Sequence, residues 1–349
     1  MKQKAIVIAI LIINMLGGCA KETQPPAADA NEQLQTDTQE NLEETDQQEK
    51  NWGQIEEYDL EEYDNPYNTH HHLDVATYIT KIDGMYFIND CYHDQVIFHD
   101  NLEDDITYWH ILTDEVHYAH TIASDGIVYL VDDTENNRVL VFQKMEDKYV
   151  HTQTFSDIGQ WPHYIQYVEE LDCFYAWSSV TGEMFIFKRD AESNHVYLAD
   201  KKQIMELFGM YIRSFSIIDG DLYFVSGHGN SKIVVADLET FEVKKEYPVP
   251  AQIAGMAQIY KIEDDYYITV STDNEENQDC ATLIRTKDLS KLMDGEYEDL
   301  YDQFTDQMGT PYYINEIEGT FYMTNHRTDE HIYSFKVKDG IISDIKVVY

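Results

Sequence analysis

Cysteine is scarce in this chain, with four residues among 349 and none in a CxxC pair. That excludes a disulfide-dense secreted domain and leaves no cysteine-based metal motif. Basic residues are scarce too: 24 Lys and Arg face 66 Asp and Glu, a formal charge of −42 at neutral pH. A surface this acidic repels phosphate backbones, which excludes nucleic acid as a partner. It also disfavours adsorption of the folded body to anionic lipid. No apolar run reaches the roughly 20 residues of an ordinary membrane span. Few segments carry a helical period. Neither a GxSxG elbow nor an HExxH pair occurs, so the commonest hydrolase signatures are missing.

What is present begins at the N terminus. Lys2 and Lys4 precede an apolar run from Ala5 to Leu16, and Gly17-Gly18 follow. A positive start, a short apolar core and small residues at a cleavage point make an export signal. Leu16-Gly17-Gly18-Cys19 resembles a bacterial lipoprotein box. The resemblance implies that residues 1–18 are removed and that the Cys19 sulfur is lipidated, with palmitate among the acyl chains. The protein would then sit on the extracytoplasmic face of the cell membrane, held by lipid. From Lys21 to Glu49 the chain is Gln, Glu, Asp, Thr and Pro with almost no large apolar side chain. Such a composition cannot offset the entropy of ordering, so residues 19–50 read as a lipidated Cys and a disordered acidic tether. Cys91, Cys173 and Cys280 remain. One pair with one thiol left over, or three buried thiols, are both open.

Residues 51–349 are strand-like and repetitive. An acidic or Gly turn followed by an aromatic-rich strand recurs six times. Aligning the copies on Tyr86, Tyr129, Tyr175, Tyr223, Tyr267 and Tyr322 gives intervals of 43, 46, 48, 44 and 55 residues. This matches the ~40–50 residues of a four-stranded propeller blade. The fold class is therefore all-β, a six-bladed β-propeller of four-stranded antiparallel blades. The stretch from Trp52 to Tyr67 is too short for a seventh blade. It reads as an added edge strand that locks the ring beside the last blade. Lys201–Met210, with one or two short helical turns, and the long acidic segment Leu289–Met308 read as insertions between blades.

The second copy runs Asp125-Gly126-Ile127-Val128-Tyr129, then Asp132-Asp133-Thr134, then Asn136-Asn137-Arg138-Val139-Leu140-Val141-Phe142. It resembles the repeat of NHL-type six-bladed propellers. The resemblance implies an open ring with a central channel, a fold that hosts binding proteins and enzymes alike.

In such a ring the innermost strand lines the channel, and the residues just before it form a mouth. Those segments supply a candidate ligand funnel of His117, Tyr118, His120, Trp161, His163, Tyr164, Tyr211, Arg213, Gln258, Tyr312 and Tyr313. The rings could stack on a ligand while His, Arg and Gln fix it by hydrogen bonds. His117, His163 and Tyr211 each fall twelve residues before their anchor tyrosine, which puts them around one axis. No cofactor is required. Calcium is the one ion for which hard oxygens line up, at the strand exits Asn89, Asp90, Asp132, Asp133 and Asn325, though without a twelve-residue calcium loop. Zinc would need histidines from several blades, because neighbours in the His70-His71-His72 run point to opposite faces of a strand.

These features point to a membrane-tethered binding lipoprotein for a carbohydrate, a peptide or an envelope protein, and to binding rather than catalysis. The competing class is a surface lyase or hydrolase acting in the funnel. A lyase would pair His120 or His163 with Arg213. Cys19→Ser is expected to move the protein from the membrane fraction to the soluble fraction without unfolding the body. Persistence in the membrane fraction, followed by fractionation and immunoblotting, would contradict the lipid anchor.

Overall fold

The structure, a computed structural model, describes residues 50–227 and 231–349. The export signal, Cys19, the tether and His228 lie outside the described residues. A two-residue strand β1 (Gln54–Ile55) comes first, and six antiparallel sheets follow in chain order. Blade one is β2 (Ala76–Ile82), β3 (Met85–Asp90), β4 (Gln95–His99) and β5 (His110–Thr113). Blade two is β6 (Ile122–Ser124), β7 (Val128–Asp133), β8 (Arg138–Met145) and β9 (Lys148–Phe155). Blade three is β10 (Pro162–Val168), β11 (Cys173–Ser178), β12 (Glu183–Arg189) and β13 (Val196–Gln203). Blade four is β14 (Ile212–Ile218), β15 (Asp221–Ser226), β16 (Lys232–Asp237) and β17 (Val243–Pro248). Blade five is β18 (Gly255–Ile262), β19 (Asp265–Thr272), β20 (Thr282–Thr286) and β21 (Glu298–Asp299). Blade six is β22 (Thr310–Ile317), β23 (Thr320–His326), β24 (Ile332–Lys338) and β25 (Ile341–Val347). The chain is a six-bladed β-propeller of four-stranded antiparallel blades.

Local chemistry explains the hairpins. Asp83-Gly84, Asp219-Gly220 and Glu318-Gly319 all have positive φ at both positions (50° and 83°, 53° and 82°, 51° and 77°). That is the turn whose twist matches the flanking strands, and Gly adopts it without strain. Side chains alternate along each second strand. In β11, Phe174 and Ala176 pack on blade two, while Tyr175 and Trp177 pack on blade four. Both faces are apolar because each blade is covered on both sides by its neighbours, and six such interfaces make up the core.

All six anchor tyrosines lie on the second strands, but not all on one face. Tyr175, Tyr223, Tyr267 and Tyr322 face the following blade. Tyr129 packs with Phe87 and Phe98 of the preceding blade, and Tyr86 packs toward blade six. The structurally equivalent column is Phe87, Leu130, Tyr175, Tyr223, Tyr267 and Tyr322. A strand has a period of two, so an alignment slipped by one residue exchanges the faces. The tyrosines mark the correct strands but not the correct register in blades one and two.

The Trp52–Tyr67 stretch is not beside the last blade. Asn51 bridges Leu198 of blade three, β1 pairs with β9 of blade two, and Tyr67 bridges His110 of blade one. It is a strap across the outer rims of three blades. Asn65 rivets it: its amide donates to the carbonyls of Ile111 and Tyr149 and accepts from the Tyr149 amide. The insertion at 201–210 forms one 3-10 turn, Met205–Leu207. The segment 289–308 is not an insertion between blades: besides the 3-10 turns Leu289–Asp294 and Tyr301–Gln303 it carries β21, the fourth strand of blade five.

Blades one and six are each made from one continuous stretch of chain, so no shared strand closes the ring. Apolar packing of Ile317, Tyr322 and Ile332 on blade one closes it, and hydrogen bonds from polar groups near the channel fix each join. Thr77 Oγ1 donates to the His120 carbonyl at 2.9 Å, and the Ile165 amide donates to Thr121 Oγ1 at 2.9 Å. Ser179 Oγ donates to Ile212, Ser214 Oγ to Ala257 and Thr269 Oγ1 to Tyr312, all at backbone carbonyls. Thr324 Oγ1 completes the circle on the Thr77 carbonyl at 2.8 Å, with Asn315 donating to Ile79. At the rim, Tyr349 accepts from Trp109 Nε1 and donates to carbonyls of the 102–104 loop.

Two stability measurements check these assignments. Phe87→Ala is expected to cost about 3–5 kcal/mol and Tyr86→Ala clearly less, since only Phe87 is fully buried between blades. Equal losses in urea unfolding would refute the corrected register. Thr324→Val should cost about 1–3 kcal/mol by leaving the Thr77 carbonyl short of a donor.

Candidate functional site

The channel mouth lies where first strands begin and second strands end. Each blade delivers to it one segment before its first strand and one strand exit. A cavity of about 220 Å³ opens there, with Tyr211, Arg213 and Tyr312 from the former set and Cys91, His326 and Arg327 from the latter or just beyond it.

Below and beside the cavity is a buried aromatic and imidazole stack. The His120 and His163 rings lie 3.5 Å apart, centroid to centroid. His163 Nε2 is 2.7 Å from the Tyr312 hydroxyl, and Tyr312 lies against His326 at 4.3 Å. The Tyr313 hydroxyl donates to the Arg213 carbonyl at 2.9 Å. The protonation pattern of His120 follows from its neighbours. The Thr134 hydroxyl donates to the Pro162 carbonyl at 2.7 Å, so it accepts from His120 Nδ1–H at 2.9 Å. His120 Nε2 is then an acceptor facing the Cys91 thiol, 3.8 Å away.

Burial holds these imidazoles neutral. It lowers His120 to about 3, and it pulls His163 and His326 well below 6.5, with Arg213 adding repulsion in every case. Burial also pushes the Cys91 thiol up, and the nearby Asp132, Asp94 and Asp90 push it further. Asp132 is raised from 3.8 to about 7 by burial, against the bonds it accepts from His120 N and Thr121.

Arg213 is the exception to this neutrality. Its guanidinium lies over the Tyr211 ring at 4.8 Å, and one nitrogen reaches the Met256 carbonyl at 3.4 Å. No carboxylate is within ion-pair range of it among the described residues. The nearby acids are engaged elsewhere: Asp90 by His93 and Gln95, Asp94 by His117, Asp133 by Arg138.

The eleven funnel residues therefore separate into layers. Tyr211, Arg213 and Tyr312 line the cavity together with His120, and His163 and Tyr313 back it. Trp161 meets Tyr211 edge-on at 6.0 Å, and Tyr118 meets Tyr92 at 5.2 Å. Trp161 and Tyr118 both have φ near +60°, a costly backbone state for bulky residues. It is held by Asn137 and Asp94, which accept from their amides. His117 turns outward to Asp94. Blade two's corrected register explains why: Tyr118, not His117, is the twelfth residue before Leu130. Gln258 and Tyr164 are not at this mouth. Gln258 is buried in the wall, accepting from the Ile314 amide, and Tyr164 packs edge-on against Tyr313 at 5.3 Å and faces the other end of the channel.

Cys91, Tyr92, His326 and Arg327 were not among the sequence candidates. The antiparallel hairpin supplies the signal for them, since the end of each second strand returns to the mouth where the first strand began. Of the strand-exit oxygens, Asp90, Asp132 and Asp133 are each spent on groups close to their own blade, and Asn325 on Tyr301 and Glu330. Asn89 is buried, and neither its amide oxygen nor its nitrogen has a hydrogen-bond partner among the described residues. No group of three His, Cys, Asp or Glu residues is placed to hold a metal among the described residues. Cys91, Cys173 and Cys280 are all free thiols.

The fold and mouth define a propeller with a blind cavity at one end of its channel. Solved structures similar to this chain include a putative 6-phosphogluconolactonase from Bacteroides fragilis, at 10% identity and TM-score 0.55, covering 77% of this chain and 82% of that one. A second putative 6-phosphogluconolactonase, from Bacteroides uniformis, gives 12%, 0.54, 78% and 85%. Kuenenia stuttgartiensis hydrazine synthase gives 16%, 0.50, 77% and 79%. At such identities the likeness is one of fold. No family model matches the chain, and no curated protein sequence matches it significantly.

The buried titratable groups set a pH dependence. The unfolded chain gains protons on His120, His163 and His326 below about 6.5, where the native state refuses them. Stability therefore falls as pH drops, by up to about 1.4 kcal/mol per unit for each group. Asp132 opposes this, because its native pKa is the higher one: its contribution is complete below about pH 4 and lost by about pH 7. Urea unfolding between about pH 7.5 and 5.5 should show a net loss that is steeper in Asp132→Asn and shallower in His163→Gln. A pH-independent wild type would refute the neutral stack.

Proposed function

We propose that this chain is an extracytoplasmic, membrane-tethered binding protein whose channel cavity captures a small ligand bearing a carboxylate or phosphate. One observation carries the reading: Arg213 lines a cavity of neutral rings with no acid to balance it among the described residues. A partly buried cation without a counter-ion is costly, and an anionic ligand would supply the missing charge together with bidentate hydrogen bonds. The cavity is below the ~300–1,000 Å³ typical of drug-sized ligands, so it fits a small metabolite or the acidic end of a longer carbohydrate or peptide. The rim aromatics Trp161, Tyr118 and Tyr92 would contact whatever extends beyond it. The tether and the NHL-like repeat agree with a protein presented at the cell surface to sample its surroundings.

The hydrolase alternative has its own observation, the chain Cys91–His120–Thr134–Pro162. It has the order of a nucleophile, an oriented base and a fixing group. In that reading Sγ would attack an acyl carbon while its proton passes to His120 Nε2 and then to the leaving group, and water would release the acid. The raised thiol and the strongly depressed imidazole weigh against it.

Thermal shift of the full chain carrying Cys19→Ser, with phosphate, sulfate, citrate and glucuronate as probes, tests the binding reading. At least one anion should raise Tm in the parent and not in Arg213→Gln. An equal response in Arg213→Gln, or none from any anion in the parent, would overturn it. Ligand-dependent turnover abolished by Cys91→Ser would favour the hydrolase.

A further inference from the structure

We infer that the opposite end of the channel is a second, independent binding site, for an uncharged saccharide ring. A cavity of about 430 Å³ opens there. Its principal walls are Tyr78, Tyr164, Gln166, Ser216, Tyr260 and Asn315, all from the first strands of five different blades. The Arg213 cavity uses the beginnings of first strands and this one their middle and later residues, so the two lie at opposite ends. Between them stand Tyr164 and Tyr313, edge-on at 5.3 Å, with Tyr78 at 6.4 Å from each ring.

The chemistry of the two ends differs. Here the charged rim groups are already satisfied. Lys261 pairs with Asp219, and Glu263 accepts from the amides of Asp339 and Gly340. What remains is phenol rings and amides. Gln166 lines the cavity, and its side chain has no hydrogen-bond partner among the described residues. Asn315 donates once, to the Ile79 carbonyl, which leaves its amide oxygen available. Gln258 is 1% exposed, and its Nε2, on the Tyr164 side of the wall, has no hydrogen-bond partner within bonding distance among the described residues.

Primary amides both donate and accept, which suits hydroxyl groups that do the same. Tyrosine rings offer flat apolar faces to the C–H faces of a pyranose and a hydroxyl at the tip. Among the described residues, an anion would find no unpaired cation here, and a cation no unengaged acid. A purely apolar ligand would strand Gln166. A neutral polyol ring is the class that satisfies all of these groups together.

The test is saturation-transfer NMR on the full chain carrying Cys19→Ser, with the methyl pyranosides of glucose, galactose, mannose and N-acetylglucosamine as probes. At least one should bind, and Gln166→Leu should weaken it at least tenfold, about 1.4 kcal/mol. Tyr260→Ala should do the same. If Tyr260→Ala fails to fold, Gln166→Leu alone decides, because it breaks no protein hydrogen bond. Arg213→Gln should leave sugar binding unchanged, which separates this site from the anion cavity. Absence of binding by all four probes, or binding that survives Gln166→Leu undiminished, would overturn the inference. Loss in Arg213→Gln would place the sugar in the other cavity and overturn it equally.

Discussion

The ring is closed by apolar packing whose register is fixed by polar side chains near the channel, not by a shared strand. Each of the six blades is complete within its own stretch of sequence, so the first and last blades meet as separate sheets. Apolar packing between blades is strong but non-directional, and it would tolerate sliding. Direction comes from hydroxyls and amides near the channel that reach across each interface to backbone groups. Each bond contributes only about 0.5–1.5 kcal/mol net, but a buried carbonyl left without its donor costs more. The circle therefore tolerates no missing member well. The strap from Asn51 to Tyr67 adds an outer restraint on blades three, two and one. The C-terminal Tyr349 adds another where blade six meets blade one.

This economy makes the channel readable. Most polar groups along the inner strands are consumed in joining blades, and most surface carboxylates near the mouth are consumed in loops. Groups that lack a partner then stand out, buried Asn89, His163 Nδ1 and His326 Nε2 among them. Among the described residues, Arg213 lacks a counter-charge at one end of the channel and the Gln166 side chain lacks a hydrogen-bond partner at the other. A polar side chain kept inside a propeller channel without a structural partner is not needed for closure, so another kind of partner explains it better.

The fold was largely legible in the sequence, because a propeller repeats one unit and every unit carries a strong turn and an aromatic strand. Asp83-Gly84, Asp219-Gly220 and Glu318-Gly319 could be read directly as hairpins. Register was less legible. Tyr86 and Phe87 are both aromatic neighbours, and only the packing of blade two against blade one selects Phe87. The strap was misplaced for a related reason: a two-residue strand carries almost no pattern, and three rims offered it comparable edges. At the mouth, the segments before the first strands were found by their spacing. Cys91 and His326 were missed because they lie at the other end of a hairpin, where only antiparallel pairing brings them back. Gln258 and Tyr164 were assigned to the mouth from spacing that gives angle around the axis but not depth along it.

A net charge of −42 opposes the approach of an anionic ligand at long range. Range decides the question. Exposed charges are screened over about 8 Å at physiological salt, so carboxylates on the outer rims of the blades contribute little inside the cavity. Within it, His120, His163 and His326 are neutral, and the adjacent acids are hydrogen-bonded or ion-paired. The local field belongs mainly to Arg213. On the proposed reading the acidic exterior would act as a filter: it would slow the approach of polyanions, whose many charges all feel it, while a ligand with a single acidic group would lose little on approach and gain the whole contact with Arg213 once inside.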